Sequence, residues 1–165
     1  MNYYFGLIIR LLLCFVPVSL FYFFLAPLTI YVSYLLLTAY NPVISGSSII
    51  INNINFNFVE ACIATYAYYF LWMLCLLTKG ITFKTRTKIV ISGFVLIFVM
   101  NILRIGLIIV IALDYGFFWF NVVHLFFWKF LSGVYVALVW IFLVKKFKIQ
   151  TIPVYDDLKS LYNAS

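Results

Sequence analysis

Polar positions are so sparse along this chain that they act as punctuation. Apolar residues run almost unbroken from Tyr3 to Tyr40, Phe58 to Thr78, Ile89 to Leu113 and Val122 to Val144. A helix that crosses a bilayer needs roughly 20 mostly apolar residues, so each of the last three blocks has the length of one span. The first block is too long for one span and barely long enough for two, with no Gly, Asn or charged turn dividing it. One span starting near Arg10, followed from Pro27 by a helix lying near the outer interface, is the expected arrangement. The pattern predicts an all-α polytopic membrane protein with about four transmembrane helices, five being the alternative count.

Between the first two expected spans the period changes. Val43 to Ile51 is rich in β-formers, Asn52-Asn53 follows, and Ile54, Phe56 and Phe58 alternate with Asn55 and Asn57. Asn tolerates the positive φ of tight hairpin turns, so residues 41–58 read as a short outer β-hairpin with its apolar face on the membrane domain. Residues 1–148 then form the transmembrane domain, and residues 149–165 form a polar cytoplasmic tail, either a short helix or a disordered end. No internal repeat or low-complexity linker is visible.

Composition strengthens the membrane reading. Of 165 residues, 67% are apolar and only 9% charged, against about a quarter charged in a soluble domain. The net charge of +7 does not point to nucleic acid, because the basic residues cluster at the ends of apolar runs. Lys79, Lys84, Arg86 and Lys88 crowd one short loop, and Lys145, Lys146 and Lys148 follow the last block, whereas residues 41–61 and 114–123 contain no Lys or Arg. The positive-inside rule puts both termini in the cytoplasm and the hairpin outside. The apolar N-terminus lacks a short h-region and cleavage site, so it reads as a retained span. Cys14, Cys62 and Cys75 have neither zinc-like spacing nor a CxxC, and no metal or organic cofactor is called for.

Within the spans, ionisable residues carry most of the functional information. Arg104 sits in the apolar run Val99-Met100-Asn101-Ile102-Leu103-Arg104-Ile105-Gly106, where an arginine costs about 2.5–3.5 kcal/mol on insertion scales. Asp114 is ten residues further on, about 15 Å away along a helix, beyond the reach of a snorkelling side chain. Seventeen residues separate Cys62 from Lys79, sixteen separate Arg104 from Lys88, and twenty-one separate His124 from Lys145. At ~1.5 Å per residue, the three stand about 25, 24 and 31 Å above the lysine-bearing surface. A nucleophile, a cation and an acid–base group thus reach similar depth on three helices. Taken singly, a lone cysteine at a helix start is more often packing, and a lone histidine more often an interfacial anchor. Asn101 stands at i−3 from Arg104 and shares its helix face. Glu60 marks the outer interface, with orientation of His124 as the other reading.

The order Glu60-Ala61-Cys62 after a strand-rich outer segment, Asn101-Ile102-Leu103-Arg104 in the next span, and His124 heading the last one resembles the exosortase/archaeosortase family of membrane-embedded, sortase-like cysteine transpeptidases. The resemblance covers roughly Asn41 to Val144, and the short chain looks like a compact archaeosortase-type member. Ile63-Ala64 stand where that family often has Ser-Gly or Thr-Gly, and Trp128 and Lys129 occupy a region where it often has a glycine. The resemblance implies catalysis by Cys62, Arg104 and His124, with Asn101 and Glu60 in support. It implies substrates that are secreted proteins with a C-terminal tripartite signal: a recognition motif, a transmembrane helix and a basic end. The acceptor is then a lipid amine, another amine or water. Two other classes stay open at this point: a small transporter with Arg104 on an anion path, and a non-catalytic membrane subunit with Arg104 paired to a partner helix.

Overall fold

The computed structural model describes residues 3–127, 130 and 132–162. The first apolar block folds as α1 (Tyr3–Leu13) and α2 (Val18–Leu36). The division falls at residues 14–17 and not at Pro27. Pro17 is the N-cap of α2, with φ −66° and ψ 140°, and a proline turns the residue before it away from the α region. Pro27 lies inside α2. Arg10 therefore belongs to α1 and starts no span, and no separate interfacial helix begins at Pro27.

Two helices, α2 and α5 (Phe83–Tyr115), are long and apolar enough to cross a membrane. The expectation of four such helices is corrected, because the second and fourth blocks are interrupted. Ala64 takes a left-handed conformation, φ 58° and ψ 33°, which ends the one-turn helix α3 (Glu60–Ile63) before α4 (Thr65–Leu76) begins. The last block is shared between α6 (Phe117–Phe126) and α7 (Ser132–Lys146), with Phe127 and Phe130 in π-helical conformation between them.

The expected hairpin forms and gains a strand. Strands β1 (Val43–Ser45), β2 (Ser48–Ile51) and β3 (Ile54–Asn57) make an antiparallel sheet in the order β1-β2-β3. Asn52 and Asn53 supply the turn with φ 51° and 64°. Phe56 and Phe58 are buried while Asn55 and Asn57 are exposed, the period-two alternation of a half-buried strand.

Two apolar cores follow. At the sheet end, Ile49, Ile51, Phe56 and Phe58 pack with Ile63, with Leu37, and with Ile105 and Ile109 of α5. Beyond it, Tyr68, Leu71 and Cys75 of α4 pack with Ile89 and Ile97 of α5 and with Val136, Val139 and Leu143 of α7. Elsewhere the helices present large apolar side chains outward, Phe23, Leu103 and Phe118 among them. At the end opposite the sheet, the tail docks as α8 (Tyr155–Tyr162). Val154 N–H donates to Leu77 C=O at 2.9 Å, and Asp157 makes two 3.1 Å hydrogen bonds with the Arg10 guanidinium.

Candidate functional site

The αL turn at Ala64 creates the site's chemistry. A helix that continued past Cys62 would consume its carbonyl in an i→i+4 bond. Because α3 stops instead, the carbonyls of Ala61 and Cys62 are turned toward α5. Arg104 Nη2 donates to both at 3.0 Å, and Asn101 Nδ2 donates to the Cys62 carbonyl at 3.0 Å. The i, i+3 spacing of Asn101 and Arg104 lets one face of α5 cap the interrupted helix. Both arginine bonds use Nη2. Nε of Arg104 and Oδ1 of Asn101 are buried without a hydrogen-bond partner among the described residues.

Cys62 differs from the other thiols. Cys14 and Cys75 are buried, Cys75 fully so, whereas Cys62 is partly exposed. Its Sγ lies 3.9 Å from the carbonyl oxygen of Asn57. Contrary to expectation, Cys62 does not begin a long helix; it is the third residue of a four-residue turn, too short to carry an appreciable macrodipole. Any activation must come from neighbouring side chains.

Cys62, Arg104 and His124 line one cleft of about 430 Å³ at the sheet end. Its floor is apolar, from Ile105, Ile108 and Ile109 of α5 together with Phe117 and Phe120 of α6. The rim carries Asn55, Asn57 and Asn121. His124 is stacked on Phe120, with ring centroids 5.4 Å apart, so the ring i−4 on α6 sets the plane of the imidazole. Arg104 also lines a second cleft of about 360 Å³, with Tyr66 and Ser132. It therefore stands between two openings.

The supporting residues divide. Asn101 holds the Cys62 carbonyl as described. Glu60 accepts a 3.3 Å hydrogen bond from Tyr66 and is not among the residues lining the cleft of Cys62. Sequence reasoning passed over Asn57, whose backbone oxygen lies 3.9 Å from the thiol, and Asn121, on the His124 helix. Asn57 lay in a segment read for its strand pattern and charge, and Asn121 in one read only for its lack of Lys and Arg. Trp128 and Lys129 lie outside the described residues. No group of three or more His, Cys, Asp or Glu able to hold a metal occurs among the described residues. Compared with known proteins, the chain matches no family model, no curated protein and no solved structure.

Proposed function

We propose that this chain is a multi-pass membrane cysteine peptidase or transpeptidase that cleaves C-terminal sorting signals through a thioester on Cys62. The observation that carries the proposal is the convergence of Cys62, Arg104 and His124, from three separate segments, on one cleft. A second observation bears on the family resemblance. Ala64 occupies the position where that family often has glycine, and it adopts the left-handed backbone that glycine favours.

In this reading the chain crosses the membrane four times, as α2, α3–α4, α5 and α6–α7. Interrupted helices are tolerated at membrane depth only where the freed backbone groups find partners within the protein, a role Arg104 and Asn101 fill for α3. Lys79 in the α4–α5 loop, Lys84 and Lys88 at the start of α5, Lys145 and Lys146 at the end of α7 and Lys148 beyond it face the cytoplasm with both termini, and the sheet and cleft face outward.

His124 takes the Cys62 proton as general base. The thiolate attacks the substrate's carbonyl carbon, and the carbonyl π electrons move onto oxygen. Arg104 stabilises that oxyanion. Collapse expels the amine of the C-terminal fragment, which takes the proton back from His124, and leaves an acyl thioester. An acceptor amine, on a lipid for example, or water then attacks the thioester and regenerates the thiol. The substrate's transmembrane helix docks beside the bundle with its outer flank at the cleft.

The test is covalent trapping with a co-expressed secreted protein ending in a tripartite signal. Wild type is expected to accumulate a hydroxylamine-sensitive adduct on Cys62 detectable by mass spectrometry, and Cys62→Ser is expected to fold and lose processing. Unchanged processing by Cys62→Ser would overturn the reading in favour of a transporter or passive subunit. Impermeant maleimide checks the orientation, by labelling Cys62 from outside and sparing Cys75.

A further inference from the structure

Among the described residues strand β3 is an edge strand of the sheet, paired only with β2. Its register is Ile51↔Ile54, Ile50↔Asn55, Ile49↔Phe56 and Ser48↔Asn57. In an antiparallel ladder, alternate residues direct both backbone groups at the partner strand and the others direct theirs away. The parity here is set at both ends. Ile51 and Ile54 flank the two-residue turn, which makes them a hydrogen-bonded pair. Phe58 N–H donates to Ser47 C=O at 3.0 Å, one step beyond the last ladder pair. Ile54, Phe56 and Phe58 therefore face β2, and the N–H and C=O groups of Asn55 and Asn57 face the other way. The outward direction is the cleft: Asn55 and Asn57 both line it, and the Asn57 carbonyl oxygen is the atom 3.9 Å from Cys62 Sγ.

We propose that the substrate's recognition segment binds as an added β-strand on the free edge of β3, with the carbonyl to be attacked at the Asn57 end beside the thiol. The inference deepens the proposed peptidase reading and rests on it. An unpaired strand edge is a standing template for an extended chain, and main-chain pairing of this kind supplies affinity while alternate side chains enter pockets. The floor that receives those side chains is made by Ile105, Ile108, Phe117 and Phe120. Among the described residues the rim offers amides and no carboxylate, and Arg104 is the one side chain of fixed charge lining the cleft. The occupant is therefore an uncharged, extended segment with an apolar residue at alternate positions. Main-chain pairing would hold the scissile carbonyl in register with Cys62 whatever the outward-facing side chains are.

The probe is a library of co-expressed reporters. Each ends in a randomised uncharged hexapeptide, a 20-residue Leu/Ala transmembrane helix and three arginines. In a reporter that wild type processes, a proline scan of the hexapeptide is expected to give period-two sensitivity, because proline lacks the N–H and only alternate N–H groups meet β3. On the enzyme side, Asn55→Pro removes an outward N–H from an edge strand, where proline is tolerated. It is expected to slow processing roughly two- to tenfold, the equivalent of one hydrogen bond. Iodoacetamide should alkylate Cys62 in this variant at the wild-type rate, which separates lost substrate pairing from a damaged site. A proline scan without alternation overturns strand addition while leaving catalysis standing, provided Cys62→Ala is inactive; it decides the matter even if Asn55→Pro misfolds. Wild-type processing of Asn55→Pro overturns it equally. If wild type processes no reporter, or Cys62→Ala processes as fast as wild type, the peptidase reading falls and this inference with it.

Discussion

The two ends of the helical bundle solve the same problem, an arginine facing the exposed carbonyls of a finished helix, and solve it differently. At the end that carries the tail, Arg86 donates to the carbonyls of Leu76 and Thr78 at 3.1 and 3.0 Å, and Arg10 reaches the same two oxygens at 3.3 and 3.4 Å. Asp157 adds a carboxylate, bidentate on Arg10. At the sheet end, Arg104 meets the carbonyls of Ala61 and Cys62 with no ion pair among the described residues, and its Nε is left without a partner. One cluster is closed by its counter-ion, and the other borders a cleft with no counter-ion among the described residues. A closed cluster ties segments together. In the proposed mechanism, an arginine without a counter-ion is the one able to meet a developing oxyanion.

That contrast predicts opposite mutational outcomes, and the largest should come from Arg104. Arg104→Ala is expected to lower processing about 10²- to 10³-fold, the usual loss for one oxyanion donor. Arg104→Lys keeps the charge but not the planar fork of donors, so it should recover little of that loss. Arg86→Ala should leave processing per folded molecule unchanged and lower the Tm instead, since it takes the shorter of two guanidinium hydrogen bonds from each of those carbonyls and leaves them to Arg10 alone. Equal losses of turnover at both arginines would dissolve the distinction between the two ends. His124→Ala is expected to flatten the dependence of Cys62 acylation on pH near neutrality while the protein stays folded. A pH profile identical to wild type would remove His124 from the chemistry.

Smaller effects separate structural from functional contributions. Asp157→Asn leaves Arg10 without its ion pair and should destabilise by about 1.5–3 kcal/mol, the range for hydrogen bonds to charged groups, with processing unaffected. Thermal denaturation in detergent beside reporter processing reads both quantities. Asn101→Ala removes one donor from the Cys62 carbonyl while Arg104 keeps the other. It should cost about 1 kcal/mol of stability and lower processing less than Arg104→Ala does. The smallest change compares the turns themselves. The turn after α4 contains Gly80 at φ 76°, which has no Cβ to clash, whereas the turn after α3 forces Ala64 to φ 58°. Ala64→Gly should stabilise by about 1 kcal/mol, the cost of left-handed backbone to an L-residue, with activity retained. A loss of stability would mean that the Ala64 methyl contributes packing that outweighs its strain.

Much of this was legible along the chain. The apolar blocks located α2 and α5, the Asn pair located a turn at positive φ, and the alternation through Asn55 and Asn57 named the buried and exposed faces of β3. The cost of an arginine among apolar residues singled out Arg104, and counting helical rise brought Cys62, Arg104 and His124 to similar depth. Those inferences work because periodicity and desolvation are local and act on every residue in the same way. The breaks were not legible. Nothing about Ala64 in isolation announces left-handed backbone, and Pro17 and Pro27 differ by context, not by type. The tertiary structure decided those points, because an interrupted helix is stable only when something else accepts its freed carbonyls, and here that is a face of α5 more than 35 residues away in sequence. The convergence of three depth-matched side chains on one cleft was likewise a matter of helix rotation and packing. Depth follows from counting residues along one axis, but direction around that axis is set only when the neighbouring elements are in place.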